Sequence, residues 1–200
     1  MIDYSRLVFS IEPMREKHLD QVMAIEVAAF SAPWSSSAYD YELHHNAMAH
    51  YFVALPHTPQ ATWPLPKFLT QWLGSNTANG NLPIVGYGGF WLMTDEAHIS
   101  TIASHPAWRK QGVGELLLIA MIEAAIELGA HLVTLEVRVS NHTAQTLYTK
   151  YGFKIVGERV NYYSDNGENA WIMTTPPVTT PEYQREFQAC KARLQTRLSR

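Results

Sequence analysis

The sequence predicts an α/β fold of the α+β kind, and three observations predict it. Segments with strand-like and helix-like spacing alternate along the chain, and no internal repeat interrupts them. Of 200 residues, 46% are hydrophobic and 16% charged, which is enough apolar material for one full core and excludes a disordered chain.

Val8 to Glu12 reads as a first strand, and Arg15 to Phe30 as a helix with Leu19, Val22 or Met23, Ile25 or Glu26, and Ala29 at helical spacing. After Pro33 and Trp34, "SSSAYDYELHHN" predicts a second helix with serines available as N-cap, and "AHYFVAL" a strand. Residues 55–82 break the pattern with Pro56, Pro59, Pro64 and Pro66 and read as an inserted loop. "IVGYGGFWLM" and "AHISTIAS" are two further strands. The helix Val113 to Leu128 places Glu115, Glu123 and Glu127 within about 120° of arc, leaving Leu117, Ala120, Ala124 and Leu128 for the core and Gly129 as C-terminal cap. In "HLVTLEVRV", Val133, Leu135, Val137 and Val139 face one way while Thr134, Glu136 and Arg138 face the other. "NHTAQTLYTKYGF" is a helix with Asn141 as N-cap and Gly152 at its end, and strand-like runs at Lys154 to Glu158 and Ala170 to Thr174 bracket the turn "SDNGEN". Tyr183, Phe187, Lys191, Leu194 and Leu198 fall in helical register, so residues 177–200 are expected to be a helical extension on a domain spanning 1–176.

With 15 Lys+Arg against 18 Asp+Glu, the net charge of −3 provides no overall positive field, and neither nucleic acid nor an anionic membrane is expected as a partner. Cys190 stands alone, which excludes an intramolecular disulfide and a Cys-based zinc site and suggests a reducing compartment. The first twenty residues contain no apolar stretch of signal-peptide length, and the longest charge-free apolar run, Leu116 to Ile122, is too short to span a bilayer; a cytoplasmic protein is expected. His44, His45 and His50 are close in sequence, but nothing completes a metal spacing around them, so they read as a solvated helix end and no metal is predicted. Ser35 to Ser37 read as capping residues, since no Ser-His-Asp arrangement accompanies them.

Arg109, Lys110, Gln111, Gly112, Val113 and Gly114 sit between a strand and a helix start, where unpaired N–H groups and the helix dipole favour an anion and small residues let it approach. Leu117 stands where a dinucleotide fingerprint needs its third glycine, and no P-loop motif occurs. By itself a lone G-x-G favours a tight turn before a core helix. Arg-x-x-Gly-x-Gly after "TIASHP", followed by "LEVRVSNHTAQTLYTKYGF", resembles the acetyl-CoA signature of the GNAT N-acetyltransferase superfamily. "EVAAFSAPWSSSAY" and "RVNYYSDNGENAWIM" bring the likeness closest to the RimI-type ribosomal-protein alanine acetyltransferases, over roughly residues 8–175 without the insert.

That resemblance implies the GNAT fold, a mixed and mostly antiparallel central sheet splayed near its middle with helices on both faces. It implies acetyl-CoA as co-substrate, with Ile102, Ala103 and Ser104 along the pantetheine arm, Arg109 to Gly114 around the pyrophosphate, and Asn141 reaching the cofactor from the next helix. It implies Glu136 as general base and Tyr148 as general acid, the acceptor being the N-terminal alanine of a ribosomal protein, small-subunit protein eighteen, held by Trp34, Tyr162 and Tyr163. From the residues alone, Glu136 would be a surface glutamate paired with Arg138, and Tyr148 a core aromatic beside Leu147 and Tyr151. Asn141 and Tyr148 differ by only about 20° around a helix, so both can address one ligand. Deprotonating an α-amine near pH 7 costs roughly 3.5 kcal/mol less than deprotonating a lysine, which suits a modest base. A lysine or small-molecule amine is the alternative acceptor, and a non-catalytic acyl-CoA sensor the alternative from another class. Ser104 and Asn169 depart from the family's valine and aspartate.

Overall fold

A computed structural model describes residues 7–57 and 82–199. Seven strands form one sheet in the order β1-β2-β3-β4-β5-β7-β6. They are β1 (Phe9–Pro13), β2 (Ala49–Pro56), β3 (Gly86–Met93), β4 (Glu96–Ser104), β5 (Leu132–Arg138), β6 (Lys154–Arg159) and β7 (Ala170–Thr174). The helices are α1 (Leu19–Ala29), α2 (Ser36–His45), α3 (Val113–Glu127), α4 (His142–Lys150) and α5 (Pro181–Leu198). Most of the expected insert lies outside the described residues, and its first two positions, Leu55 and Pro56, complete β2 opposite Ser10 and Phe9.

Alternation along the strands builds a core on each face. Tyr51, Val53 and Leu55 of β2 and Tyr87 of β3 join Val22 and Ile25 of α1 and Tyr39 of α2 on one side. Ala54 and Phe90 meet Leu117 and Met121 of α3 on the other, together with Tyr151 and α5. Ser35 caps α2 by accepting from the Ala38 N–H at 3.1 Å, as the serine run suggests.

Several sequence expectations need correcting. The helix expected from Arg15 begins with a short 3₁₀ turn, Glu16–His18, and becomes α-helical only at Leu19. Leu128, expected in the core, is 46% exposed, whereas Glu115, expected on a solvent stripe, is buried. Glu115 is buried because α5 packs along the side of α3 that carries Glu115 and Glu123. Arg197 of α5, Lys150 of α4 and Tyr151 just after α4 converge on Glu115, and Lys191 reaches Glu123. Burial pushes the Glu115 carboxyl pKa up, but these donors outweigh burial and hold it below its ordinary value. His50 is not part of a helix end; it lies in β2 with its ring stacked on Phe90.

All strand pairs are antiparallel except β4 with β5. That parallel pairing runs only from Glu96 with Leu132 to Ile99 with Leu135. Beyond it the two strands part. The divergence begins at a bulge, where Thr101 faces Gly89, Ile99 faces Phe90, and the extra residue Ser100 hydrogen-bonds the Gly89 carbonyl at 3.3 Å. Gly89 must be glycine there, since a Cβ would stand 2.2 Å from the Tyr51 ring.

Candidate active site

A cleft of about 510 Å3 opens where β4 and β5 separate. One wall is β4, with His98, Ser100 and Ile102; another is β5 and the following turn, with Glu136, Arg138 and Asn141. The loop before α2 adds Phe30, Ser31 and Trp34, α4 adds Tyr148, and the β6–β7 loop adds Tyr162 and Tyr163.

Glu136 is the most enclosed acid on that wall, its side chain 6% exposed. It does not pair with Arg138. One oxygen contacts His98 Nε2 at 2.9 Å and the other accepts from Arg159 Nε at 2.8 Å. Burial raises its pKa, but donation from His98 and Arg159 outweighs burial and holds it below the ordinary carboxylate value. Glu136 is therefore a carboxylate near neutral pH.

Arg138 instead clasps two loops together. It donates to both oxygens of Asp165 at 2.8 and 2.9 Å and to Glu168 at 3.0 Å, and its guanidinium lies 3.8 Å from the centre of the Tyr163 ring. Ser31, from the loop before α2, bonds the same Asp165. Glu168 is pushed down to about 2, chiefly by hydrogen bonds from Ser140 and then by Arg138. Tyr162 and Tyr163 pack edge to face beside this clasp, with burial pushing Tyr163 up to about 12.

Tyr148 enters from the opposite side as a buried side chain beside Phe153. Burial, reinforced by Tyr163, moves its pKa well above the ordinary phenol value, so it holds its proton throughout the neutral range. Asn141 caps α4 by accepting from the Ala144 N–H at 3.1 Å while lining the same cleft. Trp34 is set by its backbone N–H, which donates to buried Glu26 at 2.8 Å, and Glu26 also accepts from Tyr39 at 3.1 Å. Burial raises the Glu26 pKa against those two donors.

Ala103 and Ser104, the last two residues of β4, and Arg109 to Gly114 beyond it lie outside the lining of this cleft. Ser104 and Gly114 are neighbours, with a Cβ on Gly114 coming 3.4 Å from the Ser104 hydroxyl. Lys110 and Gly112 both take positive φ, 62° and 87°. Unlike α2, α4 and α5, helix α3 begins on a residue, Gly112, that offers no side-chain cap to its first N–H groups.

Comparison with known proteins fits this geometry. Residues 19–153 match the model of the acetyltransferase (GNAT) family. The chain belongs to the GNAT acetyltransferase family. It is 38% identical over 164 residues to a Bacillus subtilis protein provisionally named ribosomal protein bS18-alanine N-acetyltransferase, covering 82% of this chain and 93% of the relative. A Haemophilus ducreyi protein named ribosomal protein bS18-alanine N-acetyltransferase is 31% identical over 166 residues, covering 82% and 97%. The crystal structure of the ribosomal-protein-S18-alanine N-acetyltransferase from Escherichia coli matches this GNAT fold with a TM-score of 0.67 at 26% identity, over 87% of this chain and 97% of that one.

The sequence reading gave no site role to His98, Arg159, Arg138 or Glu26, which line the cleft or hold the residues that do. Period-two alternation puts His98 on the same strand face as Ile102, which is the one signal available for it. Arg159 gives none, because its approach to Glu136 depends on β7 lying between β5 and β6.

Proposed function

We propose that this GNAT acetyltransferase moves acetyl from acetyl-CoA to the α-amine of a protein N-terminus, and that the acceptor is the N-terminal alanine of ribosomal protein bS18. The observation that carries the reading is the cleft between β4 and β5. An ionised Glu136 and a protonated Tyr148 line its walls where the sheet opens. The names of the bacterial relatives supply the acceptor.

Acetyl-CoA suits the residues present. The part of β4 beyond Ile99, free of β5, offers backbone groups at Ile102, Ala103 and Ser104 to an extended arm. The uncapped start of α3, with Arg109 and Lys110 before it and Gln111, Gly112, Val113 and Gly114 forming the turn, suits a pyrophosphate. Asn141 adds its amide from the start of α4. When bound, acetyl-CoA supplies the acetyl thioester. Glu136 supplies the negative charge that draws a proton from the acceptor ammonium, and Tyr148 holds the proton destined for the departing sulfur. Trp34, Tyr162 and Tyr163 form the aromatic mouth that grips the first residues of the acceptor. In this reading residues 1–176 carry the chemistry, 55–82 are an insert and 177–200 an extension. The setting is the cytoplasm, where ribosomal proteins are made.

The test uses a peptide beginning with alanine and follows release of the free CoA thiol. Wild type should turn over, and Glu136→Gln should bind acetyl-CoA normally yet release thiol about 100-fold more slowly. Tight acetyl-CoA binding without thiol release by wild type would leave a sensor and overturn the catalytic reading.

A further inference from the structure

The last turn of α5 lies beside the turn that suits the pyrophosphate. α5 falls outside residues 19–153, the part of the chain that matches the family model. Its end is nevertheless pinned in place. The Leu198 carbonyl accepts from the Val8 N–H at 3.1 Å, Ser199 pairs with Leu7 ahead of β1, and the Leu198 side chain is buried. Two side chains of α5 thereby come to Gly112, the residue on which α3 begins. A Cβ on Gly112 would stand 3.1 Å from Leu198 and 3.4 Å from Nη2 of Arg197. Leu198 is buried packing, whereas the Arg197 side chain is charged and 54% exposed.

What holds Arg197 there is Glu115, the third residue of α3. A glutamate at that position often turns back to cap the start of its own helix. Both oxygens of Glu115 are engaged by cations and a phenol instead: Oε1 accepts from Lys150 and, at 2.7 Å, from the Tyr151 hydroxyl, and Oε2 accepts from Arg197. Two cations share this one carboxylate, so the cluster keeps an excess of positive charge. A guanidinium has five N–H donors in a planar fork, so Arg197 keeps its bond to Glu115 and still has donors for a second anion.

We propose that Arg197 is a cofactor-binding residue that α5 adds to the acetyltransferase domain, donating to the pyrophosphate of acetyl-CoA beside Gly112 while Glu115 positions it. This rests on the acetyl-transfer reading. It gives the C-terminal extension a task beyond packing, since the cofactor site is then complete only when the last turn of α5 is docked.

The test compares wild type with Arg197→Gln in the full chain, using three acetyl donors that differ in their phosphates. Acetyl-CoA and acetyl-dephospho-CoA both carry the pyrophosphate, and by calorimetry each should bind Arg197→Gln about 10-fold more weakly than wild type. S-acetylpantetheine carries no phosphate, and in an NMR shift titration it should bind both proteins alike. Arg197→Lys keeps the charge without the fork and should recover part of the loss. The loss should also shrink as salt is raised, because the guanidinium is half exposed. Acetyl-CoA affinity within twofold of wild type would overturn the proposal. So would an equal loss for S-acetylpantetheine, which would make Arg197 a scaffold residue only, and so would a loss confined to acetyl-CoA, which would move the contact to the 3′-phosphate. Failure of wild type itself to bind acetyl-CoA would instead overturn the acetyl-transfer reading, and this proposal with it.

Discussion

At the residue scale the account turns on Glu136 and Tyr148, whose surroundings push their protonation states apart. Glu136 is held ionised by His98 and Arg159, and Tyr148 is held neutral by burial. A carboxylate whose folded pKa lies below its unfolded one adds stability above the unfolded value and loses it as pH falls through the folded one. The melting-temperature gap between wild type and Glu136→Gln should therefore be widest near neutrality and shrink below the ordinary carboxylate range; a gap independent of pH would contradict the pairing. In the proposed mechanism Tyr148→Phe removes the proton for sulfur but little contact area. It should reduce kcat by about 100-fold while acetyl-CoA affinity, measured by calorimetry, stays within about twofold. Glu136 and Tyr148 were legible through a family resemblance; unaided spacing favoured a surface glutamate and a core tyrosine. His98 was hidden because its bond to Glu136 exists only once β4 lies parallel to β5.

At the scale of elements, α3 shows how far periodicity reaches. Its extent was readable from Gly112 to Gly129, yet its faces were misjudged, because α5 buries the side that carries Glu115 and Glu123. Leu194 of α5 is 1% exposed, and Leu194→Ala should cost about 2 to 5 kcal/mol. In a chain of this size that is a melting-point drop of roughly 5 to 15 °C by calorimetry. An unchanged melting point would mean that α5 is not part of the core. The two glycines that bracket α3 make a matched comparison. Gly112 and Gly129 both have positive φ, but a Cβ on Gly112 would meet Leu198 at 3.1 Å while one on Gly129 would meet nothing within 4 Å. Gly112→Ala should therefore destabilise more than Gly129→Ala, whose cost is the left-handed backbone alone, about 1 to 2 kcal/mol. Only Gly112→Ala should raise KM for acetyl-CoA.

For the whole molecule, two cores on opposite faces hold a sheet that opens at a bulge, and both loops at the mouth are tied through Arg138 and Asp165. The alternating strands and amphipathic helices were readable because their periods are local. The strand order was not, since β7 inserts between β5 and β6 and no spacing in "RVNYYSDNGENAWIM" specifies that. The central claim is the identity of the acceptor nitrogen. It is tested most directly by incubating the protein and acetyl-CoA with peptides starting in alanine, serine or methionine, each with an internal lysine, and locating the acetyl group by mass spectrometry. The account predicts acetyl on the α-amine of the alanine peptide, and acetyl on lysine alone would contradict it.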